Sequence, residues 1–291
     1  MEALNAAVGK IAQMLWKDPK VASLHAADGL PSEWSEQLGD LLALPGDLRR
    51  HALVICARNL DWFHLIDPHW TERQLLAILD GDDDDDRNAL WSGFFWGGKT
   101  PGMRLYLRLK PKLLAFTSAP RLSQRDQDNV LAGMLLAGWG SRDETHGQRC
   151  ISNGEMREVL LRAGDDFRSR TLWQLQTWAR QTADASGSNN WRTLVPEFIR
   201  EVWPLQKSTK TPKASAALLN LAFSDPNSFQ TLAALVLPLL TRIDRGNHVV
   251  LHTVAANGKL SSQFPAEMLA LMFAVLSDRA TEWPYDAHQV L

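Results

Sequence analysis

Gly93-Phe-Phe-Trp-Gly-Gly98-Lys99-Thr100 has the spacing of a phosphate-binding loop: glycine, four residues, glycine, lysine, threonine. In such a loop backbone amides surround the phosphates, the lysine reaches the outer phosphates and the threonine holds magnesium. A strand must precede it and a helix must follow at once. Here Ala89 to Trp96 has helical periodicity and Pro101-Gly102 comes straight after Thr100, so the context argues against a nucleotide site. His248 and His252 stand four apart and on a helix would share a face suited to a metal. Val249 occupies the place of a zinc protease's glutamate and no third ligand follows, so no metal is assigned. Asp82 to Asp86 lacks the alternation and closing glutamate of a calcium loop and is read as the acidic start of a helix. No nucleophile elbow, zinc ribbon or dinucleotide glycine fingerprint occurs by local spacing, and no catalytic residue or cofactor is assigned.

Charge distribution is the feature least explained by packing. From Asp61 to Asp86 there are nine acids against the single Arg73, whereas Arg87 to Arg125 holds eight basic residues and no acid. A second acid-free stretch, Val202 to Ser224, carries Lys207, Lys210 and Lys213. Arg104, Arg108, Lys110, Lys112, Lys207, Lys210 and Lys213 are therefore the candidates for binding an anion or a partner, including nucleic-acid phosphates. Pairing between neighbouring acidic and basic helices, or plain solvation of the lysines, is the competing account.

The elements that must position these residues read as helices. The pattern predicts helices at Glu2 to Trp16, from Pro31 to Leu44, over 47–66, at a short segment capped by Thr71, over 83–96, near 103–117 and over 124–139. Only Arg104-Leu-Tyr-Leu-Arg-Leu109 approaches strand alternation. In the last 140 residues one apolar pattern recurs. Val195, Phe198, Ile199, Val202 and Trp203 are matched by Phe229, Leu232, Ala233, Val236 and Leu237, and again by Met268, Leu271, Met272, Val275 and Leu276. Met156, Val159, Leu160 and Ala163 form an earlier, four-membered copy ending in Gly164, so that the copies start 39, 34 and 39 residues apart. The spacing i, i+3, i+4, i+7, i+8 places each set on one face of a helix, and each interval leaves room for one further helix. Proline follows two of the copies, at Pro204 and Pro238, which predicts equivalent helix ends. The expected fold is all-α: an α-solenoid of stacked helix pairs of the HEAT or armadillo kind, one elongated domain over 1–291, with a joint at the polar, glycine-containing stretch 138–154.

Composition sets the remaining bounds. Hydrophobic residues make up 45% of the chain, enough for a large core, and the net charge of −2 gives no global attraction to nucleic acid or anionic membrane. Cys56 and Cys150 form no disulfide framework and point to a reducing compartment; with no secretory pattern at the start, the expected location is cytoplasmic, without membrane contact. Twelve tryptophans against two tyrosines are expected mainly in the core, Trp173, Trp178 and Trp203 on inward faces, with Trp96 and Trp139 beside glycines as the rings to consider for ligand stacking.

Asn88-Ala-Leu-Trp-Ser-Gly-Phe-Phe-Trp-Gly97, Gly164-Asp-Asp-Phe-Arg-Ser169 with Leu172-Trp-Gln-Leu175, Phe198-Ile-Arg-Glu-Val-Trp-Pro-Leu-Gln-Lys207 with Thr211-Pro212, and the ending Trp283-Pro-Tyr285 resemble the helical C-terminal region of bacterial proteins that carry a sirtuin-like domain in front. The likeness runs from about residue 60 onward, and its motifs are packing signatures. It implies a sensing, scaffolding or oligomerising role beside a domain that degrades NAD during phage defence, with a protein partner or fused effector domain. No sirtuin-like nucleotide-binding segment stands in this chain, so no catalytic residue is carried over. The expected function is non-catalytic protein interaction, with nucleic-acid binding through the basic turns as the alternative and nucleotide binding by Gly93 to Thr100 behind it.

Overall fold

Many helices in this chain begin where the sequence supplies a cap, a proline or an acidic first turn, as those starting at Pro68, Asp84, Asn153 and Pro212 do. The computed structural model describes residues 2–116, 125–142, 147–181, 192–243 and 258–276. Among these the regular structure is all helical, in keeping with the all-α expectation, and Arg142 and Arg149 form one isolated antiparallel bridge. The chain divides into two compact units, Met1–Leu109 and Lys110–Leu291.

The first unit contains α1 (Glu2–Asn5), α2 (Ala7–Leu15), α3 (Ser32–Leu42), α4 (Gly46–Arg58), α5 (Leu60–Ile66), α6 (Pro68–Gln74), a 3-10 turn at Leu76–Asp80 and α7 (Asp84–Gly97). Helix α8 (Met103–Phe116) spans the boundary between the units. Two helices expected to be continuous are broken. The first divides at Ala6, whose backbone is extended (φ −66°, ψ 147°), and the carbonyl of Ala3 lies 1.7 Å from where a Cβ on Gly9 would stand. The stretch 47–66 divides at Asn59 (φ −111°, ψ 22°), whose side-chain amide donates to the Ile55 carbonyl at 3.2 Å. The cap of α6 is Asp67, which accepts from the Trp70 amide at 2.9 Å, rather than Thr71. Thr71 is buried one turn in, and its hydroxyl donates to the Asp67 carbonyl. The strand-like Arg104 to Leu109 is helical, because Leu105, Leu109 and Leu113 share the buried face while Leu107 is exposed.

Helices α4 and α7 form the centre of this unit and run parallel. Arg49 at the start of α4 meets Asp86 at the start of α7, Val54 and Ala57 meet Gly93, and Arg58 meets Gly97. A Cβ on Gly93 would stand 2.2 Å from the Val54 carbonyl oxygen and 2.8 Å from the Ala57 Cβ, and one on Gly97 would stand 2.8 Å from the Arg58 carbonyl. Two glycines four residues apart thus let the backbones approach.

The second unit contains α9 (Arg125–Gly140), α10 (Asn153–Arg162), α11 (Asp165–Gln181), α12 (Leu194–Glu197) continued by a π turn at Phe198–Val202, α13 (Pro212–Ala222), α14 (Phe229–Val236), α15 (Gly258–Gln263) and α16 (Pro265–Val275). The stretch 138–154 lies within it. Helices α9, α11 and α13 lie side by side in the same direction. Gln174 of α11 donates to Asn129 of α9 while the Trp178 ring sits against Gly140. Further along, Asp166 and Gln176 of α11 meet Lys213 and Ser224, at either end of α13. A second set comprises α10, α12 with its π turn, α14 and α16: Arg157 donates to the Glu201 carbonyl, and Gln230 donates to Glu267 at 2.7 Å while Phe229 meets Phe264. This second set carries the recurring apolar pattern, and every member is buried except Leu237, which is half-buried. Helices α11 and α13 occupy two of the intervals.

The two proline-marked ends differ. Trp203 leaves the helix with ψ 131°, as a residue before proline should, after its amide closes the π turn on the Phe198 carbonyl at 2.9 Å. Leu237 stays helical (φ −47°, ψ −49°), because Pro238 enters the first residues of a 3-10 turn at Leu237–Leu239, where its missing N–H matters least. Trp203 is buried as expected and Trp178 is half-buried, but Trp173 is 52% exposed. Its neighbours Leu172 and Leu175 take the inward positions.

We expect glycine substitutions in the first unit to have opposite signs. Gly93→Ala forces a methyl group against backbone and should destabilise by about 1–3 kcal/mol, whereas Gly39→Ala in α3, with open space around it, should stabilise by about 0.5–1 kcal/mol. Chemical denaturation followed by circular dichroism checks both.

Candidate functional site

The seven basic candidates fall on α8 and on the segment 207–213 that leads into α13, and most already have partners. On α8, Arg108 reaches Glu72 at 3.2 Å and Asp80 at 3.3 Å, so within the first unit the acidic stretch 61–86 pairs with the basic helix that follows it. Arg104 is exposed on the same helix. It adds to the cationic field at His64, whose pKa lies below the ordinary 6.5: burial is the main cause, Glu72 and Asp61 oppose it, and Arg104 reinforces it. In the second unit, Lys110 holds Glu155 at 2.7 Å and Lys112 is half-buried. Lys207, Lys210 and Lys213 follow the π turn. Lys207 is exposed, Lys210 donates to the Pro238 carbonyl at 2.7 Å and Lys213 is paired with Asp166. Lys210 and Lys213 therefore tie α13 and its approach to two different neighbours instead of converging on one point.

Gly93 to Thr100 is the end of a helix. Gly93 and Gly97 serve the α4 contact, Gly98 closes α7 in the left-handed conformation (φ 67°), and α8 begins only at Met103. A helix rather than a strand precedes Gly93 and no helix starts directly after Thr100, so the context that a phosphate loop requires is missing. Trp96 is 41% exposed with the Arg58 guanidinium 4.1 Å from its ring centre. Trp139, the other ring considered for stacking, is fully buried. Its indole donates to Asn153 at 2.8 Å, its ring meets Phe198 edge-on, and Arg149 lies 4.3 Å over it. That arginine also donates to the Trp139 carbonyl and to Glu197, both at 2.6 Å. This is packing glue.

The five-aspartate run starts α7. Asp83 caps it, accepting from the amides of Asp85 and Asp86, and the Asp86 amide is the main cause that holds its carboxyl below the usual 3.8. Asp86 is buried and bound by Arg49 at 2.8 Å, Arg50 reaches Asp85 at 3.0 Å, and Arg87 pairs with Asp84. Among the described residues no group of three or more His, Cys, Asp or Glu is placed to hold a metal ion, and His248 and His252 lie outside them. Neither cysteine is in a disulfide and both are buried, and burial pushes the Cys56 thiol up to about 12, far from a reactive thiolate.

A cleft of about 450 Å³ opens between α8 and α10 in the second unit, lined by Leu114, Ala115 and Val159 and by Glu155, Glu158 and Arg162. Its charges are spoken for: Glu155 is bound by Lys110, and Glu158 pairs with Arg162 at 2.6 Å. Glu155 also completes a capping box with Ser152.

Sequence reasoning missed two residues that organise the second unit. Arg168, buried on α11, donates to the Leu160 and Ala163 carbonyls at the end of α10 and to Asp165, closing the turn that Gly164 had suggested. Arg149 reads as one more loop cation until its three contacts are seen together. Comparison with protein-family models, curated proteins and solved structures finds no match for this chain.

Glu155 gives a pH test. Burial pushes its carboxyl up, but the Lys110 ion pair and the Ser152 hydrogen bonds outweigh this and hold it below the ordinary 4.5. A lowered carboxylate pKa contributes stability that is full above the unfolded value and is lost as pH falls through the folded value. In denaturation curves taken from pH 6 downward to roughly pH 3, Glu155→Gln should lower stability at the upper end and flatten the decline below pH 4.5.

Proposed function

We propose that this chain is a non-catalytic interaction or scaffold module built as an α-solenoid of stacked helix pairs. The observation that carries the reading is the alternation in the second unit. Helices α9, α11 and α13 make one parallel set joined by side chains that cross between them, and α10, α12 with its π turn, α14 and α16 follow one another in contact as a second set. Parallel neighbours linked through an intervening helix are what a tandem helix-pair repeat produces. Such an array commits its inward residues to packing and leaves extended outer faces for partners. Charged groups engaged in helix-to-helix pairing, as Arg108, Lys110 and Lys213 are, favour this reading over a phosphate-tracking surface. Among the described residues no helix is long and apolar enough to cross a membrane.

The resemblance to sirtuin-associated regions gives the partner's class. We infer a protein partner or fused effector that degrades NAD in bacterial antiphage defence, acting in the cytoplasm. The test is affinity capture of the tagged chain from host lysate, with and without nuclease, followed by binding of the purified chain to a sirtuin-like NAD-degrading domain. We expect a nuclease-resistant protein complex that forms again from purified components. Recovery of nucleic acid, with every protein lost on nuclease treatment and binding weakened in a Lys207→Ala, Lys210→Ala, Lys213→Ala variant, overturns the reading in favour of the basic turns.

A further inference from the structure

Helix α16 is apolar on two faces. Met268, Leu271, Met272 and Val275 are buried in the second unit. On the other side Ala266, Leu269 and Phe273 are exposed and Ala270 is half-buried, at the spacing i, i+3, i+4, i+7 that forms one continuous stripe. Phe273 is 80% exposed and Leu269 48%. The sole charged residue within the helix, Glu267, lies to one side and accepts from Gln230.

The corresponding faces of the other helices in its set are different. The places of Leu269 and Ala270 are held by Arg157 and Glu158 in α10, by Pro196 and Glu197 in α12, and by Gln230 and Thr231 in α14. Where these residues face the next helix they make polar bridges, as Arg157 does to Glu201 and Gln230 to Glu267. Helix α16 alone in its set presents an apolar stripe there. A helix that is apolar all round belongs in a buried place, and a bare phenylalanine beside a leucine marks an interaction face.

The order of sizes along the stripe identifies what covers it. Small, large, small, large (Ala266, Leu269, Ala270, Phe273) is self-complementary about a twofold axis between residues 269 and 270. In an antiparallel pair Phe273 stands over Ala266 of the other copy, and Leu269 stands over its Ala270. A parallel pairing would set Phe273 on Phe273 and Ala266 on Ala266, leaving gaps, and would bring like helix-dipole ends together; the antiparallel pairing opposes them. A twofold interface uses one self-complementary patch from each subunit, with each contact made twice. We propose that a second copy of this chain covers the stripe, as a symmetric dimer with α16 packed antiparallel on its counterpart.

A contact of two three-turn helices buries less than about 1,200 Å², the range of weak and transient interfaces, so the dimer should form over micromolar concentrations. The test is light scattering after size exclusion, with sedimentation velocity from roughly 1 to 200 µM, the span over which such an interface equilibrates. The wild-type chain should shift from monomer toward dimer across that span. Phe273→Glu should stay monomeric, with a far-UV spectrum and melting temperature like the wild type's, since Phe273 contributes little to the core. Phe273→Lys and Ala266→Glu, each monomeric alone, should form a heterodimer when mixed, because the antiparallel register places residue 273 over residue 266. A wild-type chain that stays monomeric at every concentration, whatever else lies on α16, overturns the proposal. So does a dimer that survives Phe273→Glu, or failure of the mixed variants to pair.

Discussion

Parallel neighbours bring like ends of their dipoles together, and the structure is organised around meeting that cost. Each α-helix carries partial positive charge at its start, and side-by-side helices of one direction cluster these starts. In the first unit the answer is Asp83 to Asp86 at the head of α7, set against Arg49 and Arg50 at the head of α4. In the second it recurs as Asp165 and Asp166 at the head of α11, with Lys213 from the first turn of α13 bound to Asp166, and as Glu155 in the capping box of α10. Carboxylates offset the exposed amides of their own helix, and the cations they bind fix the neighbour's register. Part of the acidic and basic stretches that look like binding features in the sequence is engaged in aligning helices.

Close approach is the second half of the same constraint. Parallel helices can share a long contact only where side chains permit it. Gly93 and Gly97 permit it in the first unit by admitting the backbone of α4. In the second, Gly140 makes room for the Trp178 ring, and the buried Trp139 fills the volume beside Phe198 with its indole N–H satisfied by Asn153. The high tryptophan count follows, since a large flat ring spans gaps between helices that aliphatic side chains leave open. The same segment that imitates a phosphate loop is a packing device, because glycine serves a tight backbone contact as readily as it serves an anion.

With Arg108, Lys110 and Lys213 in ion pairs and Gly93 and Gly97 used in packing, outer faces are the means of function in the proposed scaffold role. Helix α16 is the sharpest instance. Its outward stripe has no polar residue and its sizes alternate, whereas each of its counterparts in the same set carries a charged or amide side chain at the place of Leu269 or Ala270. An interaction module of this kind needs no reactive group, only faces whose composition departs from ordinary solvated surface.

The apolar spacing in residues 156–276 determined that four helices bury one face each, because a 3.6-residue period is a local property and burial of that face follows from it. Helix type, the acidic start of α7 and the Gly/Pro break after Gly97 were legible for the same reason. Breaks at Ala6 and Asn59 were not, since an extended residue or a side-chain cap changes no periodicity. Tertiary structure alone decided that Thr71 is buried and Asp67 is the cap, that Trp173 faces outward, and that Leu237 keeps its helical backbone before Pro238. It also decided which candidate cations meet a carboxylate. Spacing along a chain gives the types of cation available, but whether Arg108 or Lys213 is free depends on acids 28 to 47 residues away, and only folding brings those together.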